Sequence, residues 1–174
     1  TPLQFDLKLS DWHLTGQLSA QAIVVEPGRQ RPPLRAWLEH VVRQVVVGPS
    51  STRLLCAGKG KNLWSDQRLQ AMDGQAARLQ LERFLQHYDQ GLRDGWVFLD
   101  EVMTAFATAR AESTKPANRD PWNQARQVWW QRRDWTHFRR CLGPEAPLPG
   151  ENEPWFEQLI EQIFLPAYEG MTSS

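Results

Sequence analysis

Residues 23–57 read IVVEPGRQRPPLRAWLEHVVRQVVVGPSSTRLLCA, a β-prone segment followed by a helix and a second β-prone segment. Ile23, Val24 and Val25 favour a strand because β-branched side chains pack well on a pleated surface. Apolar residues then recur at helical spacing from Leu34 to Val45, and Gly48-Pro49 is a helix stop signal. This succession predicts a sheet with at least one helix packed against it.

The flanking sequence extends the same alternation. Residues 14–25 predict two short strands that turn near Ser19, and residues 53–57 and 62–65 predict a hairpin around GKGK at 58–61. Later segments predict, in order, a long helix ending at Gly95, a short buried strand at 96–99, a helix at about 100–111, a polar loop at 112–120, a helix at 122–142, a Pro/Gly-rich link at 143–154 and a final helix from Trp155. Alternating strands and helices define an α/β or α+β domain.

Size and composition restrict the class of protein. The 174 residues suit a single domain at 1–174, and no apolar run approaches the length of a membrane span. Equal numbers of basic and acidic residues, 20 of each, mean that any basic surface is local. Cys56 and Cys141 are far apart and belong to no CxxC motif, which fits a reducing cytosol. The start at Thr1-Pro2, without Met, favours a C-terminal fragment of a much longer chain.

The segment 122–142, WNQARQVWWQRRDWTHFRRCL, interleaves tryptophan with arginine. Asp120-Pro121 is a helix-start signal, and the helix that follows is apolar on more than one side. Three interpretations remain open: bases of single-stranded nucleic acid stack on the indoles, a protein partner covers them, or they pack inside their own domain. The candidate partner-binding residues are Trp122, Arg126, Trp129, Trp130 and Arg133.

The sequence contains few residue patterns that indicate catalytic or metal-dependent chemistry. The single acid-x-Lys triplet, Asp6-Leu7-Lys8, has no convincing second acidic ligand on a neighbouring predicted strand, so we expect no nuclease centre. The four histidines are isolated from one another, so we expect no metal site and no cofactor. Residues 58–61 lack P-loop spacing, although Lys59 and Lys61 are candidates for contact with a DNA backbone.

The order of segments resembles the C-terminal domain of RecC, the gamma chain of exodeoxyribonuclease V. LRAWLEHV at 34–41 is similar to the family's Trp-Leu-Glu-His helix, and RLL at 53–55 with the following Gly-Lys turn resembles its next strand pair. AARLQLERFLQHYDQG at 76–91 resembles the family's long helix, which finishes Tyr-x-x-Gly. Trp155 with FLP at 164–166 resembles the terminal helix, although Ala167-Tyr168 replaces an apolar pair of the family.

The resemblance implies a restriction-endonuclease-like fold, of the PD-(D/E)XK type, without a catalytic centre and with extra C-terminal helices. It also implies a non-catalytic scaffold and subunit-docking role in the exodeoxyribonuclease V helicase–nuclease, which acts in recombinational repair of double-strand breaks. The implied partners are the RecD (alpha) helicase subunit, the RecB (beta) subunit and DNA within the assembled complex. A DNA-binding module that contacts the backbone near the unwinding fork is the alternative.

Overall fold

The computed structural model describes residues 2–26, 34–57, 64–112, 120–132, 140, 142–143 and 145–173. The chain divides into two compact units. Unit 1 comprises Thr1–Gln86 and Ala167–Ser174, and unit 2 comprises His87–Pro166. The mixed α/β class predicted from the sequence is confirmed, whereas the organisation as a single domain stays a prediction.

Unit 1 contains two sheets. Strands β1 (Leu3–Leu9) and β2 (Trp12–Leu18) form an antiparallel hairpin. The second sheet has four strands in the order β3-β4-β5-β6, with bounds Ile23–Glu26, Thr52–Ala57, Trp64–Leu69 and Met171–Ser173. β3 and β4 are parallel, whereas β4–β5 and β5–β6 are antiparallel. Helix α1 (Leu34–Val46) connects β3 to β4, because parallel strands cannot be joined by a tight turn.

The core of unit 1 lies between helices and strands. Trp37 and Val41 of α1, Leu69 of β5, and Leu81 and Leu85 of α2 (Gly74–Asp94) pack in one cluster of buried residues. The first half of α2 therefore buries an apolar face. In its second half Leu92 is 67% exposed, so the helix is not buried along its whole length.

A buried polar network joins α1 to the sheet. The Nε2 atom of His40 lies 2.9 Å from the backbone oxygen of Gln70, and its Nδ1 atom lies 2.7 Å from the hydroxyl of Thr52. A carbonyl oxygen can only accept, so Nε2 carries the proton and the Thr52 hydroxyl donates to Nδ1. Gln44 exchanges two hydrogen bonds with the backbone of Ser50, at 2.7 and 2.8 Å. These bonds satisfy polar groups that burial would otherwise leave without partners.

Unit 2 is built from helices around aromatic side chains. Its described helices are α3 (Asp100–Ala111), α4 (Pro121–Arg132) and α5 (Pro154–Leu159), followed by a π-helical turn at Ile160–Phe164 and by α6, Leu165–Glu169, which runs on past its boundary. The indole of Trp96 stacks on that of Trp155 at 4.7 Å between ring centres. Phe106 meets Phe156 edge-on at 5.4 Å. Each such ring buries roughly 150–250 Å².

Several predictions of secondary structure are confirmed, and one is wrong. The helices at α1, α2 and α3 and the strands β2 to β5 agree with the sequence pattern. The strand predicted at 96–99 is wrong, because these residues form an irregular connection between α2 and α3 in which aromatic packing covers Trp96. The final helix is interrupted by the π-helical turn, and β1 and β6 were not predicted. No helix among the described residues is long and apolar enough to span a membrane.

Candidate functional site

Helix α4 carries most of the residues predicted to bind a partner. The Oδ1 atom of Asp120 accepts a hydrogen bond from the backbone N–H of Trp122 at 3.1 Å. This satisfies one of the N–H groups that a helix start leaves without partners, and Pro121 needs no such partner. The predicted start at Asp120-Pro121 is confirmed. Residues 133–139, and with them Arg133, lie outside the described residues.

Two of the predicted site residues pack inside unit 2. Trp122 contacts Phe106 at 4.7 Å and Phe156 at 5.0 Å between ring centres. Trp129 is only 2% exposed, and its indole N–H donates to the backbone oxygen of Ala146 at 3.1 Å. Of the three interpretations of the tryptophan segment, packing within the domain therefore applies to these two indoles. Their predicted contact with a partner stays a prediction.

Trp130 occupies a different side of α4. One residue further along a helix turns the side chain by about 100°, and Trp130 is 53% exposed where Trp129 is buried. Arg126 lies one turn earlier, and its Nε and NH2 atoms donate to Oε1 of Glu151 at 2.7 and 2.6 Å. The hydrogen bond to Glu151 raises the pKa of Arg126.

A groove of about 200 Å³ lies beside these residues, and we call it the α4 groove. It brings together three of the five predicted contact residues with a segment of the Pro/Gly-rich link. Its lining consists of Arg126, Trp129, Trp130, Glu145, Ala146, Pro147, Leu148 and Glu151.

Residues 145–148 and 151 of the link form one wall of the α4 groove. Glu151 N–H donates to the oxygen of Leu148 at 3.2 Å, and Glu153 N–H donates to that of Gly150 at 3.0 Å. Gly150 has a φ of +77°, and a Cβ atom added there would lie 2.5 Å from the Trp155 ring. The glycine is therefore required both by its backbone conformation and by the indole that lies against it.

Sequence reasoning did not identify the residues of this wall as part of a site. Glu145, Pro147, Leu148 and Glu151 have no periodic relation to α4, so no spacing rule connects them to it. The available signal was the density of prolines and glycines, since four prolines in a short link restrict it to a defined path.

The groove has apolar walls and a slight acidic excess. Leu148 is buried and Pro147 is exposed. Among the described residues, one arginine and two glutamates line the groove, which leaves one formal negative charge in this part of the lining. Because Glu151 already binds Arg126, Glu145 is the exposed carboxylate that supplies this charge.

In unit 1, both Asp6, the acid of the acid-x-Lys triplet, and Asp66 accept hydrogen bonds from neighbouring side chains. Asp6 of the hairpin accepts from Nε2 of His13 at 2.8 Å. On the four-stranded sheet both carboxylate oxygens of Asp66 accept from Arg53, at 2.6 to 3.1 Å, and this bonding lowers the pKa of Asp66. Within the described residues no group of three or more His, Cys, Asp or Glu side chains could hold a metal ion. Lys59 and Lys61 lie outside the described residues.

Comparison with known proteins identifies the class. Residues 1–111 match the family described as the RecC C-terminal domain, so the chain belongs to this family, as the resemblance predicted. No curated protein matches the chain. Membership of this family implies that the chain is part of the RecBCD complex, which includes RecB and RecD. It also links the chain to exodeoxyribonuclease V and to DNA repair. The match ends before α4, so the α4 groove lies in the part of the chain that follows it.

Proposed function

We propose that this chain is a non-catalytic scaffold and subunit-docking domain of a cytoplasmic exodeoxyribonuclease V complex in double-strand break repair. The α4 groove is its docking site, and the RecD (alpha) helicase subunit is the partner that we propose first, with RecB (beta) also in the complex. The observation that carries this proposal is the half-exposed Trp130 beside an apolar, slightly acidic groove. Tryptophan and arginine are the residue types most often found at the energetic centre of protein interfaces.

The chemistry of the groove favours a protein partner over DNA. A DNA-binding surface neutralises phosphates with unpaired lysine or arginine. Here the guanidinium of Arg126 is held by Glu151, and Glu145 adds a negative charge. Trp130 could stack on a base, but these carboxylates oppose the phosphate beside it.

The non-catalytic part of the proposal rests on unit 1. We propose that its mixed sheet is related to the restriction-endonuclease-like fold, in which acids on neighbouring strands hold Mg²⁺. A carboxylate that binds a metal must offer its oxygens to the ion. Both oxygens of Asp66 accept from Arg53 instead, which supports a sheet that does not hold a metal ion at this acid.

Replacing Trp130 with alanine is expected to weaken capture of the RecD subunit by about tenfold, because a large aromatic contact is lost from the interface. The chain should stay folded, since most of this side chain is already in solvent. The measurement is a pull-down over a concentration series, with circular dichroism to monitor folding. The double replacement of Trp130 and Arg133 should weaken capture at least as much.

Leu92→Ala is the matched control, because it removes another exposed apolar side chain, 67% accessible, from a different helix. Capture by this variant should equal that of the unaltered chain. If Trp130→Ala leaves capture unchanged, or unfolds the chain, the docking role of the α4 groove is wrong. Capture that persists but depends on added DNA would instead support the DNA-binding alternative.

A further inference from the structure

We infer that the α4 groove binds one arginine side chain of the partner protein, carried between apolar residues. This inference rests on the proposed docking function and specifies the chemistry of the partner. Its grounds are the indole in one wall of the groove, the carboxylate in the other and the volume between them.

The indole provides a surface for a flat cation. More than half of the Trp130 side chain is exposed, and it lines the groove. Among aromatic rings, tryptophan attracts cations most strongly over its face. A guanidinium is planar and weakly hydrated, so it stacks on such a ring at lower desolvation cost than an ammonium group does.

The carboxylates supply complementary charge. Arg126 directs both Nε and NH2 to a single oxygen of Glu151, at 2.7 and 2.6 Å, so its own charge is matched within the chain. Glu145 lines the same groove and is exposed. An incoming guanidinium can therefore stack on Trp130 and donate to the Glu145 carboxylate.

The volume of the groove suits one long side chain. An apolar cavity of about 150 Å³ holds a benzene ring, and the α4 groove has a volume of about 200 Å³. The exposed Pro147 provides apolar surface for the methylene stem of the arginine.

The probe is a pair of peptides, acetyl-Leu-Arg-Leu-amide and the same peptide with citrulline, which keeps the shape of arginine but has no charge. Binding is followed by the NMR signal of the Trp130 indole N–H, assigned with Trp130→Phe. We expect the arginine peptide to bind about five- to tenfold more tightly than the citrulline peptide. Added salt should reduce this preference, because the contacts lie near the surface.

Glu145→Gln should reduce the preference for arginine to less than about twofold, because the carboxylate charge is removed. Glu157→Gln, which removes a half-exposed carboxylate of α5 outside the groove lining, should leave the preference intact. Equal binding of the two peptides, or an unchanged preference in Glu145→Gln, would overturn the inference.

The docking proposal and the arginine assignment are tested by different outcomes. If Trp130→Ala weakens RecD capture while the two peptides bind equally, docking stands and the arginine assignment is wrong. If a twenty-residue oligothymidine shifts the Trp130 signal and the arginine peptide does not, the groove is a DNA site and both proposals fall.

Discussion

Replacing Gly150 with alanine is expected to lower the free energy of unfolding of unit 2 by roughly 2–5 kcal/mol. Alanine at a φ of +77° costs about 1–2 kcal/mol, because its Cβ approaches the following carbonyl oxygen. The same Cβ would lie 2.5 Å from the Trp155 ring and 2.9 Å from that of Phe156. Displacing packed aromatic rings adds about 1–3 kcal/mol. Urea unfolding followed by tryptophan fluorescence measures the loss.

Gly95→Ala is the matched control for this experiment. Gly95 also lies in unit 2 and has a similar φ of +70°, but no atom lies within 4 Å of an added Cβ. Its replacement should therefore show only the backbone cost. The difference between the two variants measures the packing of the Trp155 indole on residue 150. If both variants lose the same free energy of unfolding, the inferred close packing of the Trp155 indole on residue 150 is wrong.

Acidification is expected to destabilise unit 1 through His40. Burial of the imidazole lowers its pKa to about 4, with the charge of Arg43 acting in the same direction and the hydrogen bond to Gln70 opposing it. In the unfolded chain the pKa returns to about 6.5. Below that pH the unfolded state binds a proton that the folded state does not, so the free energy of unfolding falls as the pH drops from 6.5 towards 4. The full loss is about 3 kcal/mol.

The measurement is the free energy of unfolding at several pH values between 7 and 4.5, for the unaltered chain and for His40→Gln. The variant is less stable at pH 7, because it loses the contacts with Thr52 and Gln70, but its stability should depend less on pH. Parallel profiles for His40→Gln and the unaltered chain would contradict the assignment.

Local patterns were sufficient for the elements with clear periodicity. Helix α1 follows from apolar spacing and from Gly48-Pro49, and α3 agrees with its predicted bounds. β1 and β6 could not be predicted in the same way. β6 has only three residues, and it pairs with Leu69, Arg68 and Gln67, which lie about a hundred positions earlier in the chain. In the apolar run at 96–99 the Trp96 indole stacks on that of Trp155, and a strand pattern does not distinguish such packing from strand pairing.

Of the candidate site, only the residues contributed by α4 were predictable from the sequence. The tryptophans and arginines of α4 are visible in the sequence as an apolar and basic helix with more than one apolar side. Which side would be buried depends on the residues packed against it. Trp129 donates to Ala146, and Phe106 and Phe156 cover Trp122. No local rule connects these residues to the helix, so the sequence could not separate Trp129 from Trp130.

Unit 1 is formed by two segments that are far apart in the chain, and this has a consequence for folding during translation. Residues 1–86 lack the edge strand β6 and the core residue Ala167 until residues 167–173 have been translated. A ribosome-bound chain that ends within unit 2 therefore exposes the edge of β5, and unpaired edges of this kind promote aggregation. Folding of unit 1 must be completed after translation of unit 2, even though most of its residues leave the ribosome first.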